Sequence, residues 1–433
     1  MVLEVEFISK ELIKPSVPTP NHLRKHKFSF IDQNQFPISI PILLFYEKSN
    51  IPNHERCNLL KQSLSKALTI FYPLAGRINN YSYADCNDEG ALFIQTKANC
   101  QLSEILLNRN EYHNHNKKFF PLQPEKGVHQ YGSLFQITYF NCGGLGVSFA
   151  MPHMLGDGLS MFTFLNCWAA VARGNTLEIP PIVSDSIFPP IKIAGFDLTQ
   201  WAFKENVVTK SFVFDAATIS ALTDKYSANG EKLSRVLALS VFILSRMIAT
   251  TSQAKNNRCM VIYSVNVREL LNPPLSKQSF GNLIFAAPAL IDNVDPSGNK
   301  EDAYYEIGKR IKDSITSVNS ESLRKLQNGE LNFTKESFME CINGEIDRYS
   351  FTSLCRFPMY EVDFGWGKPE WVAISMVFIN NFIMLCDTRN GKGIEVWISL
   401  TEEDMAKFEK DKQLLSNLSS TPNENNPNLN SRL

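Results

Sequence analysis

Hydrophobic positions along this chain recur with two periods, and they alternate between them. VLEVEFI (2–8) alternates apolar and polar, the pattern of a half-buried strand. PSVPTP then breaks the chain. IPILLFY (40–46) is a continuous apolar run and predicts a buried strand. ERCNLLKQSLSKALTIF (55–71) has helical spacing and predicts an amphipathic helix, closed by a tight turn at YPLAGR (72–77). GALFIQTKA (90–98) predicts another strand. SLFQITYFN (133–141) and LGVSFAMPH (145–153), separated by CGG, predict a hairpin. LSMFTFLNCWAAVARG (159–174) is apolar nearly all round and ends on glycine, which predicts a buried helix with a glycine cap.

A Pro-rich stretch over roughly 174–205 separates this half from a second α/β half. There KSFVFD (210–215), MVIYSVNVR (260–268) and NLIFAAPAL (282–290) predict strands. VAISMVFINNFIMLCDT (372–388) and GIEVWISL (393–400) predict late strands. SRVLALSVFILSRMIA (234–249) and EDAYYEIGKRIKDSI (301–315) predict helices. The Asn/Ser/Pro-rich end predicts disorder. Expected boundaries are therefore a first domain over 1–180, a crossover over 181–210, a second domain over 211–415 and a tail over 416–433.

At 433 residues the chain is long for one core, which fits two domains. Lys plus Arg is 43 and Asp plus Glu is 44, so charge makes no case for nucleic acid or an anionic membrane. Nine scattered cysteines without a CxxC predict free thiols in a reducing compartment and no metal site. The N-terminus lacks an apolar signal core, and no run is long enough to span a membrane. The sequons at Asn80, Asn332 and Asn417 are expected to go unused. A cytosolic monomer is the expectation.

The candidate chemistry sits where the hairpin meets the helix. In FAMPHMLGDGLSMF (149–162), His153 falls at a strand end and Asp157 at a helix start. The bland reading is a satisfied histidine followed by a helix cap. The chemical reading is a general base, since an imidazole near its neutral pKa can take and return a proton. No GxSxG elbow is present, and Cys142 in the CGG turn has no signature around it. Direct transfer between two bound substrates then fits better than a covalent intermediate. A second unusual stretch, YEVDFGWGKPEW (360–371), crowds two glycines and a proline around Trp366. Alone it reads as a strand-edge turn with a buried Trp.

Together these residues resemble the BAHD family of plant acyl-CoA-dependent acyltransferases. That family carries HxxxD in mid-chain and DFGWG near the C-terminus, here His153–Asp157 and Asp363–Gly367. YPLAGR, the NVR of 266–268 and the FGN of 280–282 match as well. The similarity runs from ISKELIKPSVPTP (8–20) to DTRNGKGIEVW (387–397) and is strongest with the alkaloid acetyltransferases.

The resemblance implies two similar chloramphenicol-acetyltransferase-like α/β domains with a solvent channel between them. His153 would stand at its centre as the general base, reached by acyl-CoA from one face and an alcohol acceptor from the other. It implies that Asp157 turns away to pair with Arg268. Asp363 would be an ion-paired anchor, with Arg356 as candidate partner. Gly365, Trp366 and Gly367 would support the CoA side, and Ser234 and Arg235 would lie near its entry. Acetyl-CoA would be the co-substrate, with benzoyl, tigloyl or malonyl donors open, and the acceptor an alkaloid or another alcohol such as a terpenoid. No metal or prosthetic group is implied.

Two positions depart from the family. Leu354 and Leu244 stand where relatives carry Trp. Leucine cannot donate a hydrogen bond, so either Thr352 or a backbone amide would hold the oxyanion, or the acceptor pocket is reshaped. Two rival readings stand beside this one. A condensation domain shares HxxxDG, but it usually has a second histidine where this chain has Pro152, and it lacks DFGWG. The other is a non-catalytic member that keeps the fold.

Overall fold

The computed structural model describes residues 3–35, 38–79, 82–121, 131–175, 180, 182–183, 187–190, 206–227, 231–251, 258–292, 301–330, 346–374 and 379–419. Most of the expected crossover, the tail beyond 419, Cys341 and the sequons at Asn80 and Asn332 lie outside these residues. Residues 412–417 form a helix, so helical structure reaches into the expected tail.

In the first half lie β1 (Val5–Ile13), β2 (Lys25–Lys27), β3 (Ser39–Tyr46), β4 (Arg77–Asn79), β5 (Tyr83–Asp85), β6 (Ala91–Ala98), β7 (Leu134–Tyr139) and β8 (Leu145–Pro152). In the second lie β9 (Val207–Phe214), β10 (Arg258–Asn266), β11 (Ile284–Asp292), β12 (Asp347–Ser353), β13 (Trp371–Ile374), β14 (Phe382–Asp387) and β15 (Ile394–Thr401). They make two six-stranded mixed sheets, ordered β1-β6-β7-β8-β3-β13 and β11-β10-β12-β14-β15-β9, plus a small sheet β2-β5-β4. Each large sheet has its own hydrophobic core, as a chain of this length requires.

The first sheet follows from its sequence. Ile42 to Tyr46 of β3 are all buried, because β8 flanks one edge, β13 the other, and both faces are covered. β7 and β8 form the hairpin around CGG, with Leu134 opposite Ala150 and Tyr139 opposite Leu145. The helices Asn53–Ile70 and Gly158–Ala172 pack together, and Trp168 joins them by donating from Nε1 to Ser63 Oγ at 3.0 Å. β1 begins later and runs longer than the alternation of 2–8 predicts. It carries a bulge between Phe7 and Ser9 and is largely solvent-exposed, so backbone pairing with β6 sets its length.

The apolar run 372–388 reads as one strand candidate but feeds two sheets. Trp371–Ile374 crosses to pair with β3 in the first sheet, and Phe382–Asp387 returns to the second. An apolar run fits either edge equally well, so periodicity cannot say which partner it takes. β14 then divides its side chains by the two-residue period. Ile383 and Leu385 enter the second core, while Phe382, Met384 and Cys386 face the first. Leu244 is fully buried in the second core on the helix Arg235–Thr250, so its departure from the family concerns packing.

Trp371 marks the crossing. It is fully buried, stacks on Phe45 at 5.5 Å and on Trp397 at 5.9 Å, and donates from Nε1 to Glu395 Oε2 at 3.1 Å. We expect Trp371→Ala to cost about 3–5 kcal/mol of stability, read as a lower denaturant midpoint at an unchanged m-value.

Candidate functional site

The site forms where β8 ends. Pro152 closes the strand, and the His153 amide donates to Ile38 O at 2.9 Å as the chain enters a short 3-10 turn, His153–Leu155. At Gly156 a side chain would meet Ser160 Cβ at 2.9 Å, so only glycine lets the turn lie this close to the next helix. Asp157 caps that helix, its Oδ1 accepting from the Ser160 amide at 2.9 Å.

Asp157 has a second task. Arg268 grips its carboxylate with both terminal nitrogens, at 2.8 and 2.9 Å, and both side chains are sealed from solvent. The remaining valences are filled as well. Asp157 Oδ2 accepts from the Leu283 amide at 3.0 Å, and Arg268 donates to Ser279 O at 3.1 and 3.0 Å. Burial alone would push the Asp157 carboxyl upward, but Arg268 together with the Ser160 and Leu283 amides outweighs it and holds the carboxyl below the ordinary value of 3.8. The capping reading and the ion-pair reading are therefore both true of one residue.

His153 turns the other way. Its Nδ1 lies 3.2 Å from Asn282 Oδ1, and the ring borders a cavity of about 130 Å³. Burial lowers its pKa below 6.5, against opposing contributions that include Asp157 and Asn282. The ring is thus neutral at pH 7, and Nε2 has no partner among the described residues. Ile40 and Ile42 of β3, Ile374 of β13, Ile284, Met384, Leu354 and Phe357 make the wall mainly apolar. Asp157 and Arg268 also border it but neutralise each other. Thr352 shares the wall because β12 alternates: Phe351 enters the second core and Thr352 faces away from it. Its hydroxyl has no partner among the described residues. A neutral imidazole and a hydroxyl on the wall of a mainly apolar cavity can accept a proton and stabilise a developing negative oxygen.

Leu354 packs on Gly158, where an added Cβ would lie 2.9 Å from Leu354 Cδ2. A second cavity of about 640 Å³ shares Leu159, Asn266 and Phe357 with the first. It also carries Lys277 and Arg356.

The DFGWG residues do not border the His153 cavity. Phe364 is fully buried against Trp168 at 4.8 Å. Trp366 stacks on Phe364 at 5.5 Å, with the Arg56 guanidinium 5.6 Å from its ring. Gly365 and Gly367 have φ of +106° and +105°, a region that favours glycine. Here the expected partner of Asp363 is corrected. Its Oδ1 accepts from the Gly365 and Gly367 amides at 2.7 and 3.0 Å, and the Arg173 guanidinium bonds its carbonyl. The Arg356 backbone amide donates to Asp387 Oδ2 at 2.6 Å, and its guanidinium makes no ion pair with Asp363 among the described residues. Asp363 folds a tight loop by capping amides two and four residues on, which leaves no need for a distant cation. Ser234 caps the helix Arg235–Thr250 through the Leu237 amide at 3.2 Å, and Arg235 reaches Lys392 O. Neither residue borders the His153 cavity.

Sequence reasoning did not single out Asn282 or Asp32 as site residues. Asn282 ends the FGN motif, which gave a signal without a role. Asp32 gave none beyond its place in a short capping box with Ser29. Among the described residues no cluster of three metal-ligating side chains exists, and no helix is long and apolar enough to cross a membrane.

Comparison with known proteins places this geometry. The Transferase family model matches residues 3–415. Stemmadenine O-acetyltransferase of Catharanthus roseus is 33% identical over 427 residues, covering 95% of this chain and 97% of that protein. Limonoid 1-O-acetyltransferase of Citrus sinensis is 33% identical over 440 residues, covering 95% and 98%. The crystal structure of vinorine synthase is 32% identical at a TM-score of 0.78, covering 97% of this chain and 100% of that one.

Removing one member of the buried pair strands the other. Asp157→Asn and Arg268→Met should each cost about 3–5 kcal/mol in chemical denaturation, and the double variant should lose much less than their sum. The pH sign follows from the lowered native pKa. The contribution of Asp157 is present above the unfolded value near 3.8 and is lost as pH falls through the native one. The stability difference between wild type and Asp157→Asn should therefore shrink only in strong acid.

Proposed function

The chain belongs to the BAHD-type Transferase family, and from that premise we propose that it moves an acetyl group from acetyl-CoA to a hydroxyl of a plant specialised metabolite, an alkaloid before a terpenoid. It is an acyltransferase, as its relatives are O-acetyltransferases of both acceptor classes. The observation that carries the mechanism is the place of His153 on the wall of a mainly apolar cavity, with no partner on Nε2 among the described residues.

Nε2 of His153 takes the proton of the acceptor hydroxyl as its oxygen attacks the thioester carbonyl. The carbon–oxygen bond forms, and the carbonyl oxygen becomes negative and accepts from Thr352 Oγ1. The carbon–sulfur bond then breaks, and the CoA thiolate leaves with the proton that His153 had taken. No covalent acyl-enzyme is needed. Asp157 stays out of the proton path, locked on Arg268.

The cavity of about 130 Å³ suits the acyl group and the reacting carbinol, and the adjoining cavity of about 640 Å³ suits the body of the acceptor. Arg268 is the cation at the inner wall, and Asp157 already occupies it, so a malonyl carboxylate would find no free partner there. Asp363, Gly365, Trp366 and Gly367 act as a structural anchor behind the site, and Ser234 and Arg235 take the CoA side. The protein would work as a cytosolic monomer on two small molecules.

CoA thiol release from acetyl-, benzoyl- and malonyl-CoA, measured with a panel of alkaloid and terpenoid alcohols, tests this. Acetyl-CoA should give acceptor-dependent release, and His153→Ala should abolish it. Thr352→Val should lower kcat by about 10²-fold, the usual effect of losing one oxyanion donor. Because burial lowers the pKa of His153, the acid limb of kcat/KM should have its midpoint below 6.5. Release that survives His153→Ala would reject it as the base.

A further inference from the structure

His153 has a neighbour with a fixed orientation. The Asn282 side chain is buried at 2% exposure and meets three atoms. Its Nδ2 donates to Asp32 Oδ1 at 2.8 Å and to the His153 carbonyl at 2.6 Å, and its Oδ1 faces His153 Nδ1 at 3.2 Å. A carbonyl and a carboxylate can only accept. Turning the amide over would set its oxygen against both of them. The oxygen must therefore face the imidazole, and it can accept only if Nδ1 carries the proton. The other nitrogen, Nε2, is then the bare one.

The carboxylate that enforces this is itself held. Asp32 is buried at 3% exposure, and its Oδ2 accepts from the Ser29 amide at 2.8 Å. Burial raises its pKa to about 6, against the hydrogen bonds from Asn282 and Ser29, so it is mainly ionised at pH 7. A buried carboxylate with no cation paired to it among the described residues is costly to keep. Fixing the Asn282 amide gives it a use.

We propose that Asp32 is a positioning residue for the acyl transfer, acting through Asn282 to keep the His153 proton on Nδ1 and the base at Nε2. This rests on the proposed function. The geometry makes Asp32 and Asn282 one unit. The carboxylate orients the amide, the amide selects the tautomer, and the tautomer decides which nitrogen meets the acceptor. Neither Asp32 nor Asn282 needs to touch a substrate.

The test is the nitrogen NMR spectrum of the full-length protein labelled in its histidines, with His153→Ala identifying the His153 signals. In the wild type above pH 7, Nδ1 should show a directly bonded proton and Nε2 the shift of a bare ring nitrogen. In Asp32→Asn one of the two acceptors that hold the amide is lost, its reversed orientation becomes less costly, and a population protonated on Nε2 should appear. In the same variant kcat should fall by roughly tenfold or more, with the KM for acetyl-CoA little changed. Asn282→Ala should give the same mixture and the same loss, and adding Asp32→Asn to it should change neither further. A thermal melt shows that each variant is folded. A wild-type ring protonated on Nε2 would overturn the proposal without any variant. So would an Asp32→Asn protein that keeps both the wild-type tautomer and its kcat, or losses that add in the double variant. A fixed Nδ1 proton in a protein that releases no CoA thiol would sink the acyl-transfer reading instead. The spectrum needs no substrate, so the two failures are distinct.

Discussion

Taking one charge out of water is costly, and taking two out is tolerable only when they meet in good geometry with every remaining valence filled. Asp157 and Arg268 satisfy that condition, and the arrangement around the cavity depends on it. Asp157 belongs to the turn that carries His153, and Arg268 to the segment after β10 of the other half. Their pairing fixes the distance between the halves at the cavity. Arg268 also bonds the carbonyls of Ser279 and Gly281, which sets the strand entry where Asn282 stands. One buried pair thus positions the imidazole and the amide beside it, although neither charge serves as the base.

A second tie lies away from the cavity wall. The loop Asp363–Gly367 packs its aromatic rings into the first core, and β13 follows it directly into the first sheet. Tyr46 donates to Val362 O at 2.8 Å, joining β3 to the start of that loop. The loop therefore acts as a clamp on a returning strand. Its glycines permit a turn tight enough for Asp363 to cap, and its rings supply the buried area that holds it. Ile374 carries the clamp to the cavity wall.

The local part of this could be read from the sequence. The hairpin follows from two strand-like runs around CGG, the helix from a longer apolar run ending on glycine, and the place of His153 and Asp157 from the junction between them. The pairing of Asp157 with Arg268 did not follow from any period and came only with the family resemblance. The partner of Asp363 was misjudged, because a carboxylate before two glycines caps its own loop and spacing along the chain favours no distant arginine. Asp32 and Asn282 are far apart in sequence, and nothing local marks them as neighbours. β13 was hidden for the same reason: its apolar run fits either sheet, and only the assembled fold decides between them.

The borrowed strand bears on how the protein is made. Until Trp371–Ile374 emerges from the ribosome, that edge of β3 lacks its partner strand, and the residues along it, Ile42 to Phe45, are all apolar. On the order of 300 residues separate the two strands, which at about 5–20 residues per second means tens of seconds of synthesis. The amino-terminal half therefore cannot finish folding while it is being translated. For that interval an open, sticky strand edge is exposed to every other nascent chain. A strand edge left open in this way is what a chaperone would have to cover until β13 arrives.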